Sequence, residues 1–115
     1  MSMHEYAIAY DVYATAKRAA EENAATEVIR VHVEIGDLAM ANPEQVEFLF
    51  VVIAEDDPLF RGAALECHRV PVRSRCDCGY EGDERFVCPR CGSLPELVAG
   101  REIRVSSVEI EVPGS

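Results

Sequence analysis

The sequence predicts an α+β fold in which two helices pack on one face of a three-stranded sheet. Three observations lead to this prediction. An alanine-rich N-terminal segment carries apolar residues at three- and four-residue steps, two later segments alternate apolar with polar residues, and a helix start signal lies between those two segments. At 115 residues the chain has about the size of one domain. Four closely spaced cysteines ahead of the last strand predict a small insertion.

The first helix is predicted over residues 4–24 and the first strand over residues 28–35. The apolar stripe of the helix consists of Tyr6, Ala9, Val12, Tyr13, Ala16 and Ala19. In the strand we expect one buried face, formed by Ile29, Val31, Val33 and Ile35. His32 falls on the opposite face and is interpreted as an exposed strand residue.

A second helix is predicted to begin after Asn42. This residue supplies an N-cap, Pro43 occupies the first helical position, and Gln45 is placed to bond back to the cap. The helix should end at Asp57, because Pro58 disfavours helical geometry in the residue before it. Glu55, Asp56 and Asp57 are then expected to form a solvated last turn.

Two further strands are predicted over residues 64–75 and 103–112. Pro71 places the earlier one at a sheet edge or at a bulge. In the later strand the alternation changes phase at Ser106-Ser107, which predicts a bulge there. Cys67 is interpreted as a small buried apolar residue of the earlier strand, and neither it nor His68 is expected to bind a metal.

Four cysteines, Cys76, Cys78, Cys88 and Cys91, form two close-set pairs that are each followed by glycine. Two such pairs can place four thiolates at the corners of a tetrahedron, the arrangement that Zn²⁺ prefers. The first pair has C-x-C spacing and so needs a tighter turn than the second. A closed four-thiolate site has no open position for water, so we predict an inserted four-cysteine zinc ribbon with a structural role.

Two alternatives exist for the four cysteines. Two disulfides would need an oxidising compartment, but the N-terminus has no basic segment, apolar core and cleavage site to direct secretion. We therefore expect a cytoplasmic location. A rubredoxin-like iron centre is the other alternative, and the visible absorption of a ferric tetrathiolate would distinguish it from zinc.

Charge and composition exclude several classes of function. The net charge is −10, and a surface of that sign repels phosphate backbones, so we expect no nucleic-acid binding. No apolar run of about 18 residues is present, so we expect no membrane span. The chain also has no G-x-S-x-G motif and no glycine-rich phosphate loop, and we expect that it is not an enzyme.

The N-terminus offers a second set of metal ligands. His4 and Glu5 stand almost at the start of the chain, where the first helix begins and backbone amides are not yet committed to helical hydrogen bonds. If Met1 is removed, the amine of Ser2, the amides of Met3 and His4, and the imidazole can supply four nitrogens in one plane. Ni(II) and Cu(II) favour that geometry. A histidine near a terminus is nevertheless more often only a polar residue.

Several short motifs occur in an order that resembles the HypA/HybF family of nickel metallochaperones for [NiFe] hydrogenase maturation. They are Met3-His4-Glu5-Tyr6, Ile35-Gly36-Asp37-Leu38, Cys78-Gly79, Cys88-Pro89-x-Cys91-Gly92-Ser93 and Gly100-Arg101-Glu102. The resemblance covers essentially the whole chain. It implies an α+β nickel-binding domain interrupted by a zinc ribbon, a HypB-type GTPase as partner, and the hydrogenase large subunit as client. In some relatives urease is also served.

Carried over to this sequence, the resemblance assigns nickel to the ring and amide nitrogens of His4, with Glu5 as a ligand or an orienting group. It assigns zinc to the four cysteines of the ribbon. This sequence departs from the family pattern at Arg75, where a C-x-x-C knuckle would have a cysteine, and in the two residues before Met3. Further family ligands have no clear counterpart here: Asn42 stands near one of them, and no histidine follows His68. We therefore expect a partner or a second copy to complete the nickel site.

We conclude from the sequence that this is a nickel metallochaperone with Zn²⁺ as structural metal and Ni²⁺ as transient cargo, and that it is a monomer or a weak homodimer. Residues 1–74 and 101–115 are predicted to form the nickel-binding domain and residues 75–100 the inserted zinc ribbon. The alternative is a zinc-ribbon adaptor or nucleic-acid-binding protein with an inert N-terminus.

Overall fold

The computed structural model of the chain describes residues 3–114. Two helices and six strands make up its regular structure: α1 (Met3–Glu22), β1 (Glu27–Gly36), α2 (Pro43–Ala54), β2 (Ala64–Val70), β3 (Arg73–Arg75), β4 (Glu81–Gly82), β5 (Glu96–Ala99) and β6 (Ile103–Glu111). Two short 3₁₀ turns, Asp37–Ala39 and Pro58–Phe60, follow β1 and α2. No helix among the described residues is long and apolar enough to cross a membrane.

The main sheet has the strand order β2-β1-β6, with β1 in the centre. β1 runs parallel to β2 and antiparallel to β6. Both helices pack on one face of this sheet, where Val31, Val33, Val46 and Phe50 are fully buried. The predicted α+β arrangement of two helices on a three-stranded sheet is confirmed.

Helix α1 buries a narrow stripe of small residues. Ala9, Val12, Ala16 and Ala20 are all buried, and their three- and four-residue spacing places them on one helix face. Small side chains allow the helix to lie close to the rest of the core. Tyr6 was predicted to belong to this stripe, but it is 44% exposed, and Glu5 occupies the buried position of the first turn instead.

The first strand contains a bulge that the sequence pattern did not indicate. The register of β1 against β6 shifts between Val28 and Arg30. Because a bulge inserts an extra residue into one strand, the alternation of faces changes there. Val28 is therefore fully buried and Ile29 is exposed, so the prediction that Ile29 is buried was wrong.

Helix α2 begins as predicted, with Oδ1 of Asn42 accepting from the amides of Glu44 and Gln45 at 3.0 and 3.2 Å. It ends at Ala54, earlier than predicted, because Asp57 caps the next 3₁₀ turn. The side chain of Asp57 is only 13% exposed, so the prediction of a solvated acidic turn was wrong for this residue.

The strand predicted over residues 64–75 is divided at Pro71-Val72, and its two parts, β2 and β3, belong to different sheets. Pro71 has no amide hydrogen for a sheet ladder. The backbone of Gly100 also lies so close to Val72 that a Cβ on Gly100 would contact Val72 Cα at 2.7 Å. The chain therefore turns out of the main sheet here.

The predicted bulge in the last strand is confirmed. The register of β6 against β1 skips Ser106, whose hydroxyl donates to the carbonyl oxygen of His32 at 3.3 Å. Between β2 and β6 lies a second sheet with the strand order β4-β3-β5, and its pairings are antiparallel. This small sheet carries the four cysteines. The predicted domain boundaries at residues 74/75 and 100/101 stay a prediction.

Candidate metal centres

Two tight turns in the small sheet position the four cysteines. In the first turn, the amide of Cys76 donates to the carbonyl of Tyr80 at 2.8 Å, and the amide of Gly79 donates back to the carbonyl of Cys76 at 2.9 Å. The second turn repeats this pattern between Cys88 and the two residues after Cys91, again at 2.8 Å. Gly79 has a φ of 96°, a conformation that residues with a side chain rarely adopt.

These turns bring four sulfur atoms together. Sγ of Cys76 lies 3.4 Å from Sγ of Cys91, and Sγ of Cys78 lies 3.7 Å from Sγ of Cys88. All four sulfurs lie within 4.8 Å of one another. Sulfurs at the corners of a tetrahedron around a zinc ion are about 3.8 Å apart, given Zn–S bonds of about 2.3 Å. The spacing of the four sulfurs therefore fits a tetrahedral metal ion. The shorter C-x-C turn still places the sulfur of Cys76 within this group.

The thiols of Cys91 and Cys76 differ in acidity. Hydrogen bonds from the side chain and the amide of Ser93 lower the pKa of Cys91 to about 6. The pKa of Cys76 is raised to about 12: the amide of Cys78 lowers it, but a hydrogen bond to Cys91 and burial raise it by more. Without metal, the cluster thus retains thiol protons that an incoming ion must displace.

Cys67 takes no part in this group. Its thiol lies in β2, 3.9 Å from the carbonyl oxygen of Pro43, and it packs against the main core. Burial raises its pKa to about 12, so it stays protonated. Cys67 was predicted to be a small buried apolar residue, and in the structure it is partly buried against the core.

At the other candidate centre, His4 lies in the first turn of α1 and faces the segment that follows β1. Its Nε2 is 3.3 Å from the carbonyl oxygen of Ala39. A carbonyl oxygen only accepts hydrogen bonds, so Nε2 carries the proton and Nδ1 of the neutral ring is unprotonated. An unprotonated ring nitrogen is what a metal ion requires.

Glu5 lies beside His4 but on the core-facing side of α1, where only 6% of the residue is exposed. Its position in the first helical turn is favourable for a carboxylate, because the helix dipole is positive there. Ser2 lies outside the described residues. Met3 is the first residue of α1, so its amide and that of His4 lie at the N-terminal end of the helix.

Comparison with known proteins identifies the family of the chain. Residues 3–110 match the family described as "Hydrogenase/urease nickel incorporation, metallochaperone, hypA". The chain belongs to the HypA family. Two relatives are hydrogenase maturation factors HypA from Methanocella arvoryzae and Methanothermobacter thermautotrophicus. The first is 43% identical, with 96% of this chain and 100% of the relative covered, and the second is 42% identical, with 95% and 98% covered.

A solved structure gives the same result. The solution structure of the nickel metallochaperone HypA from Helicobacter pylori has a TM-score of 0.74 and 25% sequence identity, and it covers 96% of this chain and 99% of its own. The HypA family consists of metallochaperones for nickel incorporation, and the resemblance found in the motifs is confirmed. Membership favours this function over the adaptor alternative.

One residue of the N-terminal candidate site, Ala39, was not predicted from the sequence. The carbonyl of Ala39 orients His4, yet any residue could contribute that oxygen, so no residue type marks it. The nearest signal was the predicted end of the first strand at residue 35, just before the 3₁₀ turn that contains Ala39.

Proposed function

We propose that this chain binds Ni(II) at the start of α1 and delivers it to the large subunit of a [NiFe] hydrogenase during maturation. In this proposal His4 is the principal ligand, and the amides of Met3 and His4 supply further nitrogens. Zn²⁺, held by Cys76, Cys78, Cys88 and Cys91, is a structural metal. A HypB-type GTPase assists the transfer in the cytoplasm.

The observation that carries the proposal is the contact between His4 and Ala39. It fixes the ring orientation and the tautomer through a main-chain oxygen, the same role that outer-shell partners have for ligating histidines in metal sites. Family membership gives the identity of the cargo. In this proposal Glu5, the residue next to His4, acts as a ligand or orients the terminus.

Ser2 contributes the terminal amine in the four-nitrogen arrangement if the mature chain begins there. Four nitrogens in one plane favour Ni(II), and two of them are amides that must lose protons. Nickel binding should therefore weaken steeply as the pH falls.

The test is a nickel titration of the intact protein, of His4→Ala, and of a version that begins at Met3. Mass spectrometry of the protein expressed in its natural host establishes the N-terminus. We expect His4→Ala to weaken binding by more than about tenfold, or 1.4 kcal/mol. The version beginning at Met3 should lose the absorption band of square-planar nickel. Equal nickel binding by all three proteins would contradict the proposal.

The exposed face of α1 next to His4 supports a role in partner binding. Tyr6 and Tyr10 are 44% and 50% exposed and lie one helical turn apart. Tyrosines of this kind are enriched in protein interfaces. We expect partner contact through this helix and an edge of the main sheet, and we expect the double substitution Tyr6→Ser and Tyr10→Ser to reduce co-purification of the GTPase while nickel binding persists.

A further inference from the structure

Four ionisable side chains meet on the face of the main sheet that points away from the helices. His32 lies on the central strand β1, directly opposite Glu66 on β2, and His68 is two residues further along β2. Glu109 lies on β6, opposite Arg30. Because alternate residues of paired strands share one face, these strands place all of them together. Two of the three histidines in the sequence are in this group.

The two imidazoles point their nitrogens at each other. Nδ1 of His32 is 3.0 Å from Nε2 of His68, and the ring planes differ by 14°. The ring centroids are 5.2 Å apart, whereas the two nitrogens are 3.0 Å apart. The difference is about the width of one ring, which is expected when two rings lie side by side in nearly the same plane. The rings therefore meet edge to edge rather than face to face. The lone pairs and N–H groups of both rings are thus directed into one small region.

A carboxylate oxygen joins this region. Oε2 of Glu66 lies 3.4 Å from Nδ1 of His32 and 3.9 Å from Nε2 of His68. Ligand atoms about 2.0–2.2 Å from a common ion are about 2.9–3.6 Å apart, depending on the coordination geometry. The three atoms are therefore close to the spacing that a shared metal ion needs.

Glu109 determines which ring nitrogen of His32 carries a proton. Its Oε2 lies 2.6 Å from Nε2 of His32, and a carboxylate accepts, so Nε2 carries the proton. In the neutral ring Nδ1 is then unprotonated, and it faces His68 and Glu66. A carboxylate bound to the distal nitrogen of a ligating histidine is the usual outer-shell arrangement of protein metal sites.

We propose that His32, His68 and Glu66 form a third, exchangeable site for a divalent transition-metal ion, with Glu109 as the positioning residue of His32. Two imidazoles and one carboxylate suit Ni(II), Zn(II) and Cu(II), and the exposed face leaves further positions to water or to an incoming ligand. This site lies on β1 and β2 and does not depend on nickel binding at His4. It assigns His32 and His68 a role that the sequence pattern did not indicate.

Arg30 limits the affinity of this site. Its Nε lies 3.6 Å from Oε1 of Glu66, and one of its terminal nitrogens lies 3.5 Å from Glu109. The guanidinium contacts Oε1 of Glu66, whereas Oε2 faces the histidines. Its positive charge nevertheless opposes a cation nearby, so Arg30→Gln should tighten metal binding while the histidine variants weaken it.

The test uses full-length protein with its ribbon metal in place and with His4→Ala, so that the N-terminal site does not contribute. Equilibrium dialysis against Zn(II), and separately against Ni(II), should show one additional bound ion. His68→Asn and Glu66→Gln should each abolish it or weaken it by at least about tenfold. Glu109→Gln should weaken it by about 10- to 100-fold.

Glu34→Gln is the matched control, because Glu34 lies on the same sheet face but pairs with Arg104 at 2.8 Å instead. It should leave binding unchanged. In NMR spectra the ring signals of His32 and His68 should shift on adding Zn(II), and unchanged signals elsewhere would show that each variant is folded. If the His4→Ala protein binds no additional ion, or if His68→Asn binds it equally well, the proposal is wrong.

Discussion

The hydroxyl of Tyr13 donates a 2.6 Å hydrogen bond to Oδ2 of Asp57 and so joins the middle of α1 to the turn after α2. The ammonium group of Lys17 lies 2.9 Å from the same oxygen. The ring of Tyr13 also packs against Phe60, with ring centroids 4.9 Å apart. This polar group therefore fixes the position of α1, which carries His4, against the second helix.

Asp57→Asn should lower the free energy of unfolding at neutral pH by about 1.5–3 kcal/mol, the range for hydrogen bonds to charged groups. The carboxylate is largely buried, so its replacement removes both the charged acceptor and the ion pair. Urea unfolding measures the change. Asp56→Asn is the control, since this neighbour is exposed, and it should change stability by less than about 0.5 kcal/mol.

The effect of Asp57 should depend on pH. Burial raises the pKa of its carboxyl group, but hydrogen bonds from Tyr13, Lys17 and the amide of Leu59 lower it by more, to below its ordinary value of 3.8. A lowered folded-state pKa stabilises the fold above the unfolded-state pKa, and this contribution is lost as the pH falls through the folded-state pKa. The difference between wild type and Asp57→Asn should stay constant from about pH 7 to 5 and shrink below about pH 4. A difference that persists at pH 2 would contradict this explanation.

Cys88→Ser should release the ribbon metal and unfold the small sheet, because metal binding and folding are coupled in so small a unit. Its thiol is buried within the four-sulfur group. Elemental analysis should find about one zinc per wild-type chain and none in the variant, while the main sheet keeps its circular dichroism. Cys67→Ser is the matched control: it removes a thiol outside the cluster and should retain the full metal content. Zinc retained by Cys88→Ser would show that the four-thiolate assignment is wrong.

Gly36→Ala should destabilise the junction between the two sheets. The amide of Gly36 donates to the carbonyl of Glu102 at 2.9 Å, and a Cβ at this position would collide with the carbonyl group of Gly100. Overpacking of this kind costs about 1–3 kcal/mol. Thermal unfolding should show the loss, whereas zinc content should not change, because the ribbon turns close through their own hydrogen bonds. An unchanged unfolding temperature would mean that the backbones of residues 36 and 100 can move apart without loss of stability, and this prediction would then be wrong.

Local signals in the sequence predicted the elements whose geometry is set locally. The cap at Asn42 was predictable because its partners are two and three residues away. The bulge at Ser106 was predictable because the apolar pattern changes phase within the same strand. The four cysteines were predictable because close-set pairs constrain their own turns.

What the sequence did not predict depends on contacts between distant segments. Asp57 looked like part of a solvated run, since Tyr13 is 44 residues away. The contact of His32 with His68 requires the register of two parallel strands, which no local pattern specifies. The strands β4 and β5 have two and four residues, too few for an alternating pattern to be visible.

The last prediction concerns nucleic acids, which many cysteine ribbons bind. Residues 75–100 contain three arginines and five carboxylates, and four thiolates around one divalent metal ion would add further negative charge. Two of those arginines lie over aromatic rings, Arg85 over Phe86 at 5.0 Å and Arg90 over Tyr80 at 6.0 Å, but stacking alone cannot offset the repulsion of phosphates.

Non-specific binders have dissociation constants of about 10⁻⁴–10⁻⁶ M at physiological salt, and we expect this protein to bind RNA or DNA more weakly than that range. Fluorescence anisotropy with a labelled single strand measures it, and Arg85→Ala is the diagnostic variant. Tight, salt-sensitive binding that Arg85→Ala removes would show that the ribbon is a nucleic-acid surface.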